Sequence, residues 1–171
     1  LLEILGLKVN VFPSRVKENI RLGKSSYARL VKQNALAKAK DVARQVKNGI
    51  IVGADTLVVQ DGCIFGKPKD LKGARFMLKR LSRKPHWLYT AVAVIDKDNS
   101  KTLLACEKTK VYMDRLSDEE ISDYFRKVSP LDKAGSFDIQ GKGAFFIRRI
   151  EGCFYNVVGL PLRRLHLMLK E

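Results

Sequence analysis

Apolar and polar residues alternate along the chain in two patterns, one typical of helices and one of strands. From Ser26 to about Lys47, apolar residues recur at helical spacing, which predicts an amphipathic helix ended by Asn48-Gly49. Ile50–Val59 is instead a nearly continuous apolar run, as is typical of a buried central strand. Asp61-Gly62 follows this run closely and predicts a hairpin turn. This part of the chain therefore combines a long helix with a buried strand.

The rest of the chain carries the same two patterns. Asp70 caps a predicted helix to about Leu81, and Ser117 with Glu120 forms a capping box for another to about Lys127. A final amphipathic helix is predicted to begin at Pro161. Further strands are predicted at Lys8–Phe12, Leu88–Ile95, Leu103–Met113, Ala144–Ile150 and Tyr155–Val158. Because helices and strands alternate while several strands are hairpin neighbours, we predict an α/β fold with a mixed sheet.

Length and composition indicate one globular domain over residues 1–171. The chain has 33 Lys and Arg against 18 Asp and Glu, a formal charge of +15. Such a charge attracts phosphate on nucleic acid, on an acidic membrane or on a small substrate, and it also fits solvated helix faces. The 3 cysteines are far apart, as expected for reduced thiols, and no leader or membrane-spanning run is recognisable. We therefore expect a cytoplasmic protein without a membrane partner.

Asp55 is a single acid within the apolar run at residues 50–59. A buried carboxylate costs several kcal/mol unless it is paired or binds a metal. The small residues Gly53 and Ala54 before it would let a ligand approach the backbone. Asp55 is therefore a candidate metal ligand or general base at a carboxyl edge of the sheet. The alternative is that it caps a turn where the strand ends.

Other polar residues are weaker candidates when each is taken alone. Lys67 lies on a Gly-Lys-Pro loop before a predicted helix, where it could hold a phosphate. Gln140 shares a glycine-rich loop with Lys133, and its amide could pair with the edge of a pyrimidine. Each also fits an ordinary turn, and Glu18 and Lys38 alone would be surface residues. The sequence contains no Ser or Cys nucleophile motif, so nucleophilic catalysis is not expected. It also contains no Walker loop and no dinucleotide fingerprint.

Nine segments carry a resemblance when they are read together and in order. They are Pro13-Ser14 with Glu18, Lys38-Ala39, Gly53-Ala54-Asp55-Thr56, Gly66-Lys67-Pro68, Met77-Leu78, His86 with Tyr89-Thr90, Asp132-Lys133-Ala134-Gly135, Gln140-Gly141, and Asn156-Val157-Val158-Gly159-Leu160-Pro161. Together they resemble the Maf family of nucleoside triphosphate pyrophosphatases, over almost the whole chain. The resemblance implies an elongated mixed β-sheet flanked by helices, with two lobes around a central cleft.

The resemblance also implies an activity, a cofactor and a partner. The activity is hydrolysis between the α- and β-phosphates of a nucleoside triphosphate, with a divalent metal cation such as Mg²⁺ or Mn²⁺. Asp55 would be the proton acceptor, and Glu18 would hold the metal together with Asp55. A homodimer is the family's usual state.

Five further residues are implied to bind the substrate. Lys38 and Lys67 would neutralise the triphosphate, and Lys133 would also contact the substrate. Thr56 and Gln140 correspond to positions where the family sets base preference. The physical chemistry agrees, because phosphoryl transfer needs charge neutralisation and an oriented water.

The form of the loop around Gln140 favours the branch of the family that acts on dTTP and UTP. The branch acting on 7-methyl-GTP typically has Val-Ala-Gly and Glu-Gly in this loop. An amide can pair with a neutral pyrimidine, whereas a carboxylate favours the cationic edge of methylguanine. We therefore expect dTTP, UTP or modified pyrimidine nucleotides as substrates, in a house-cleaning role.

Two departures from the family pattern affect these expectations. Family members carry a Ser-x-Ser-Pro-Arg-Arg phosphate-binding loop just before the segment that Leu1-Leu2-Glu3 resembles. We expect strongly reduced turnover from a chain that lacks this loop. Lys17 stands where the family commonly has an acid, so the expected metal site has one carboxylate fewer.

Other functions remain open at this stage. One is a pyrophosphatase acting on 7-methyl-GTP or on purine nucleotides. Another is a non-catalytic protein that binds nucleic acid or the septum and is linked to cell-division arrest. Binders of single-stranded nucleic acid usually interleave aromatic and basic residues, whereas the aromatic residues here lie mostly in apolar strand patterns. Nucleic acid is therefore not expected as a partner.

Overall fold

A computed structural model describes residues 1–22 and 25–171 of the chain. Its helices are α1 (Tyr27–Ala43), α2 (Leu71–Leu81), α3 (Asp118–Lys127), α4 (Phe154–Val158) and α5 (Leu162–Met168). Its strands are β1 (Ile50–Gln60), β2 (Cys63–Phe65), β3 (His86–Asp96), β4 (Lys101–Met113) and β5 (Ile147–Glu151). Short 3₁₀ helices span Leu2–Leu5, Ala134–Ser136 and Gly141–Phe145. Within the described part of the chain, no helix combines the length and apolar character needed to cross a membrane.

The strands form one five-stranded sheet in the order β2-β1-β3-β4-β5. β1 pairs antiparallel with β2 across a turn in which Asp61 has φ 47° and Gly62 has φ 79°. These positive angles suit the hairpin turn that the sequence predicted. The predicted α/β class is confirmed, but the sheet is antiparallel rather than mixed. Tight turns that reverse the chain, such as those after β1 and β3, produce antiparallel neighbours.

The described chain divides into two compact units. The first comprises Leu1–Thr56, Tyr89–Glu107 and Gly159–Glu171, and the second comprises Leu57–Leu88 and Lys108–Val158. Strands β1, β3 and β4 each contribute one part to each unit. The cleft expected between two lobes stays a prediction.

In the first unit, α1 packs closely against β1. Ser26 caps the helix by accepting a hydrogen bond from the Arg29 N–H at 3.2 Å. The buried face of α1 includes Ala35 and Ala39, and small residues there allow the strand to approach. Gly53 completes this contact, because a Cβ atom at this position would lie 2.6 Å from the Ala35 carbonyl oxygen. Local sequence thus sets the distance between the helix and the strand.

The second unit has its own hydrophobic core. This core joins side chains from β1, β3, β4, α2 and α3, including Val58, Leu78, Leu88, Val111 and Ile121. Both helices begin where the sequence predicted. Asp70 accepts a hydrogen bond from the Gly73 N–H, and the Ser117–Glu120 capping box has both of its hydrogen bonds.

Two predicted elements are wrong, and a third begins later than predicted. Lys8–Phe12 forms no strand, and its apolar side chains are largely exposed, so no buried face holds them in a sheet. Tyr155–Val158 is helical rather than extended, because it belongs to α4. Ala144 and Phe145 end a 3₁₀ helix, and β5 begins only at Ile147.

Cations and aromatic rings alternate across β3, β4 and β5 in the second unit. The Lys108 Nζ lies 3.7 Å from the centroid of the Trp87 ring. Lys110 lies 5.3 Å from Trp87 and 5.2 Å from the Tyr112 ring. Arg149 covers Tyr112 with its guanidinium carbon 4.2 Å from the ring centroid. Two of the aromatic residues, Trp87 and Tyr112, are thus interleaved with basic ones.

Candidate active site

The Lys38 ammonium group lies between two carboxylates in the first unit. Its Nζ donates to Glu18 Oε1 at 2.6 Å and to Asp55 Oδ1 at 2.7 Å. The Asp55 side chain is only 2% exposed, whereas that of Glu18 is 39% exposed. The structure therefore brings together three residues that the sequence selected, from a loop, a helix and a strand.

Asp55 lies in the middle of β1, not at a carboxyl edge of the sheet. The expectation of an edge position, and the alternative of a strand-end cap, are both wrong because β1 continues to Gln60. A buried charge within a strand needs partners, and Asp55 has two. Lys38 donates to Oδ1, and the Asn34 side chain donates from Nδ2 to Oδ2 at 2.9 Å.

The environment shifts the pKa values of this pair. Burial raises the pKa of the Asp55 carboxyl, and the hydrogen bond and charge of Lys38 offset only part of that effect. Burial lowers the pKa of Lys38, but hydrogen bonds to Asp55 and Glu18 outweigh it, so the net direction is upward. Lys38 therefore remains charged, and Asp55 is more basic than an ordinary carboxylate.

The segment that carries Glu18 has no helix or strand, yet hydrogen bonds hold it against α1. Asp41 of α1 accepts hydrogen bonds from the Ser14 Oγ at 3.1 Å and from the Arg15 N–H at 2.9 Å. Asn34 forms hydrogen bonds with both backbone groups of Asn19. Glu18 thus lies between two anchored points of an otherwise irregular segment.

Thr56 follows Asp55 and points its hydroxyl toward another threonine. Its Oγ1 lies 2.9 Å from the Oγ1 of Thr90 on β3. Thr90 is fully buried, whereas Thr56 is half-buried. The hydroxyl of Thr56 is therefore held in place from the core side.

Lys67, Lys133 and Gln140 lie in the second unit. Lys67 is exposed, and the Gly66 carbonyl before it accepts a hydrogen bond from the Gly135 N–H at 3.1 Å. This bond joins the Lys67 loop to the loop of Lys133, whose Nζ donates to Asp132 Oδ1 at 2.8 Å. Gln140 is exposed at the start of a 3₁₀ helix. That these residues and the Asp55 group form one site stays a prediction.

The two carboxylates at Lys38 are suitable ligands for a divalent cation. Among residues 1–22 and 25–171, no cluster of three or more His, Cys, Asp or Glu could hold a metal ion. Mg²⁺ prefers oxygen ligands, and proteins usually bind it through one or two carboxylates together with substrate phosphates. Glu18 and Asp55 fit a cation bound in that way.

Sequence reasoning gave no role to two residues of this site. Thr90 belongs to one of the nine family segments, but nothing in the sequence indicated its contact with Thr56. Asn34 was missed altogether. The sequence did contain a signal for Asn34. It is a polar residue on the apolar face of α1, one turn after Leu30 and one turn before Lys38.

The fold is that of an α/β protein whose sheet carries a buried carboxylate paired with a lysine. Comparison with known proteins narrows this class. The family described as "Maf-like protein" matches residues 1–171, so the chain belongs to the Maf family.

Three similar proteins carry the same curated name. A protein of Dictyoglomus turgidum named "dTTP/UTP pyrophosphatase" is 45% identical over 171 residues, which cover 100% of this chain and 89% of that protein. A Bacillus cytotoxicus protein of the same name is 46% identical over 100% of this chain and 88% of its own length. A Methanosarcina barkeri protein, also so named, is 42% identical over 100% of this chain and 86% of its length.

Proposed function

We propose that this chain is a nucleoside triphosphate pyrophosphatase that hydrolyses dTTP and UTP to the monophosphate and pyrophosphate. The contact between buried Asp55 and Lys38 carries the proposal. It joins a carboxylate of raised pKa, which can accept a proton, to an ammonium group, which can bind phosphate. Membership of the Maf family and relatives named dTTP/UTP pyrophosphatase support it. Modified pyrimidine nucleotides belong to the same substrate class, and their removal would be a house-cleaning function.

Asp55 serves as the proton acceptor in this mechanism. The oxygen of a water molecule forms a bond to a phosphorus of the α–β anhydride, its proton passes to Asp55, and the bridging P–O bond breaks to release pyrophosphate. A base of raised pKa takes up that proton more readily, provided that it is still ionised at the working pH. Each carboxylate oxygen has two lone pairs, so Lys38 and Asn34 leave Asp55 room to accept the proton.

The lysines bind the negative charge of the triphosphate. Lys38 is held close to Asp55 and would contact phosphate oxygens near the attacking water. Lys67 is exposed, and Lys133 is paired with an exposed carboxylate, Asp132, which is a weak interaction that phosphate can replace. The formal charge of +15 favours the approach of an anionic substrate.

Glu18 and Asp55 would hold the divalent cation together with the substrate's phosphates. When bound, such a cation neutralises the charge that develops on the phosphoryl oxygens. The proposal requires Lys38 to turn toward phosphate when both carboxylates bind the cation. Lysine can do so because its ammonium group stands at the end of a flexible side chain with four rotatable bonds.

Thr56 and Gln140 would select the base. The amide of Gln140 offers a donor and an acceptor, which match the edge of a neutral pyrimidine. Thr56 presents a hydroxyl whose position Thr90 restrains. The homodimer implied by the family and the cytoplasmic location expected from the sequence stay predictions.

The test is pyrophosphate release from a panel of dTTP, UTP, 7-methyl-GTP, ITP and dATP, with Mg²⁺ or Mn²⁺ or with chelator. Residues 1–171 are assayed alone and preceded by the family's Ser-x-Ser-Pro-Arg-Arg segment. Asp55→Asn is compared with Asp123→Asn, which alters an exposed aspartate on α3. We expect release from dTTP and UTP that needs the metal, and a loss of about 100-fold or more only in Asp55→Asn.

Each other outcome has a definite meaning. Equal turnover by both variants would remove Asp55 as the base. Preference for 7-methyl-GTP or ITP would assign the chain to a different substrate class. No release from any nucleotide, together with retention on nucleic acid, would favour a binding protein.

A further inference from the structure

The side chain of Asn34 uses both ends of its amide to join two parts of the candidate site. Asn34 lies on α1 and is 5% exposed. Its Nδ2 donates to Asp55 Oδ2 at 2.9 Å and to the Asn19 carbonyl oxygen at 2.9 Å. Its Oδ1 accepts from the Asn19 N–H at 3.1 Å. One buried amide therefore contacts the strand that carries Asp55 and the segment that carries Glu18.

The contact with Asp55 fixes the orientation of a carboxylate. A single hydrogen bond from a flexible lysine leaves a carboxylate free to rotate about its terminal torsion, which has a broad energy profile. Here Lys38 donates to one oxygen of Asp55 and Asn34 donates to the other. Because Lys38 and Asn34 bind different oxygens, the plane of the carboxylate is set, and the Asn34 bond still restrains Oδ2 when Lys38 turns toward phosphate.

The contact with Asn19 fixes a segment that has no secondary structure of its own. Asn34 satisfies both the N–H and the carbonyl of Asn19, as a neighbouring strand would. Glu18 directly precedes Asn19, so this pair of hydrogen bonds also restrains the backbone from which Glu18 reaches Lys38. The same amide thus restrains both carboxylates that bind Lys38, Asp55 directly and Glu18 through the neighbouring backbone.

We infer that Asn34 is a positioning residue that aligns the Asp55 carboxylate and holds the Glu18 segment in register with it. This inference rests on the proposed function, because it assigns Asn34 a part in the reaction of Asp55. A neutral amide is the group that suits the position. Aspartate at residue 34 would lack the donor to Asp55 and add a negative charge, and an apolar side chain would lack all three hydrogen bonds.

Two variants and one control test the inference. Asn34→Ala removes all three hydrogen bonds, whereas Asn34→Asp keeps the volume and the acceptor for the Asn19 N–H but loses the donor. Gln33→Ala is the control, because it truncates an amide at the adjacent, exposed position of α1. The full chain is used throughout, and kcat and KM are measured with dTTP and UTP.

We expect kcat to fall between about 10- and 100-fold in both Asn34 variants, because a misplaced base loses rate at the chemical step. KM is expected to change less than kcat, and Gln33→Ala to match the parent protein. An effect confined to KM, or a kcat in Asn34→Ala equal to that of Gln33→Ala, would overturn the alignment of Asp55.

Amide hydrogen exchange supplies a readout that does not depend on turnover. Exchange in residues 14–22 is expected to accelerate in Asn34→Ala, and less in Asn34→Asp, which keeps the bond to the Asn19 N–H. Unchanged exchange there would overturn the anchoring of the Glu18 segment. If the parent protein hydrolyses no nucleotide, the proposed function fails, while the exchange result still decides whether Asn34 holds this segment.

Discussion

Gly53 on β1 and Ala35 on α1 approach so closely that a Cβ atom on Gly53 would lie 2.6 Å from the Ala35 carbonyl oxygen. The same added atom would lie 2.9 Å from the Cβ of Ala39. Asp55 follows Gly53 by two residues, and Lys38 immediately precedes Ala39. The absence of a side chain at residue 53 therefore sets the distance over which Lys38 reaches Asp55.

Gly53→Ala is expected to lower the free energy of unfolding by about 1–3 kcal/mol, because the added methyl group forces the helix away from the strand. Chemical denaturation measures the change. Gly66→Ala is the control, since a Cβ at Gly66 would meet nothing within 4 Å. Equal stability of the two variants would show that α1 moves away without cost.

Lys38→Met is expected to reduce turnover by about 100-fold or more. It leaves buried Asp55 without its ammonium partner and removes the proposed contact with phosphate. Steady-state kinetics with dTTP and UTP measure the loss. Lys32→Met, on the same helix, is the control for loss of a positive charge. A similar decrease in both variants would indicate that net charge, rather than the contact with Asp55, determines the rate.

Protein stability is expected to fall as the pH is lowered from about 6.5 to about 4. Burial lowers the pKa of His86, and the backbones of Leu81 and Lys84 offset only part of this effect, which leaves the pKa at about 4. The folded chain therefore keeps this ring neutral above that pH. The unfolded chain takes up the proton near pH 6.5, so acid favours unfolding across this window, by about 3 kcal/mol in total.

The measurement for His86 is the free energy of unfolding as a function of pH in His86→Leu and in the parent protein. The variant should show a shallower decrease between pH 6.5 and 4. His166→Gln is the control, because His166 is exposed. A slope unchanged by His86→Leu would contradict the assignment of the pH dependence to this ring.

Thr109→Val is expected to cost about 1–3 kcal/mol of stability, because it leaves buried polar groups without their partner. The Thr109 hydroxyl accepts from Asn156 Nδ2 at 2.8 Å and from the Cys153 N–H at 3.0 Å. Thermal or chemical unfolding measures the cost. Thr102→Val makes the same change at an exposed position of β4 and should be nearly neutral.

Patterns that depend on local chemistry could be predicted from the sequence. The β1 strand, the Asp61-Gly62 turn and the caps at Asp70 and Ser117 agree with the structure, because neighbouring residues determine them. Asp55 could be selected as a candidate because an acid in an apolar run needs an explanation. The family resemblance, confirmed over residues 1–171, added the association with Lys38 and Glu18.

Features that depend on distant residues could not be predicted. α1 ends at Ala43 rather than near Lys47, and the Lys97 Nζ donates to the carbonyl oxygens of Ala43 and Val46 at 2.8 and 2.6 Å. Three of residues 155–158 are aromatic or β-branched, a composition that favours a strand. They form a helix in which Asn156 donates to Leu88 and Thr109, residues far away in sequence.

Trp87, whose ring Lys108 contacts, gives the protein a local fluorescent probe. Trp87 is the single tryptophan of the chain, and it lies in the second compact unit. Its fluorescence therefore reports on unfolding around Trp87 in the second unit, while circular dichroism reports on the helices of both units. If the two signals change at different denaturant concentrations, the units unfold independently, and nucleotide-induced stabilisation can then be assigned to one of them.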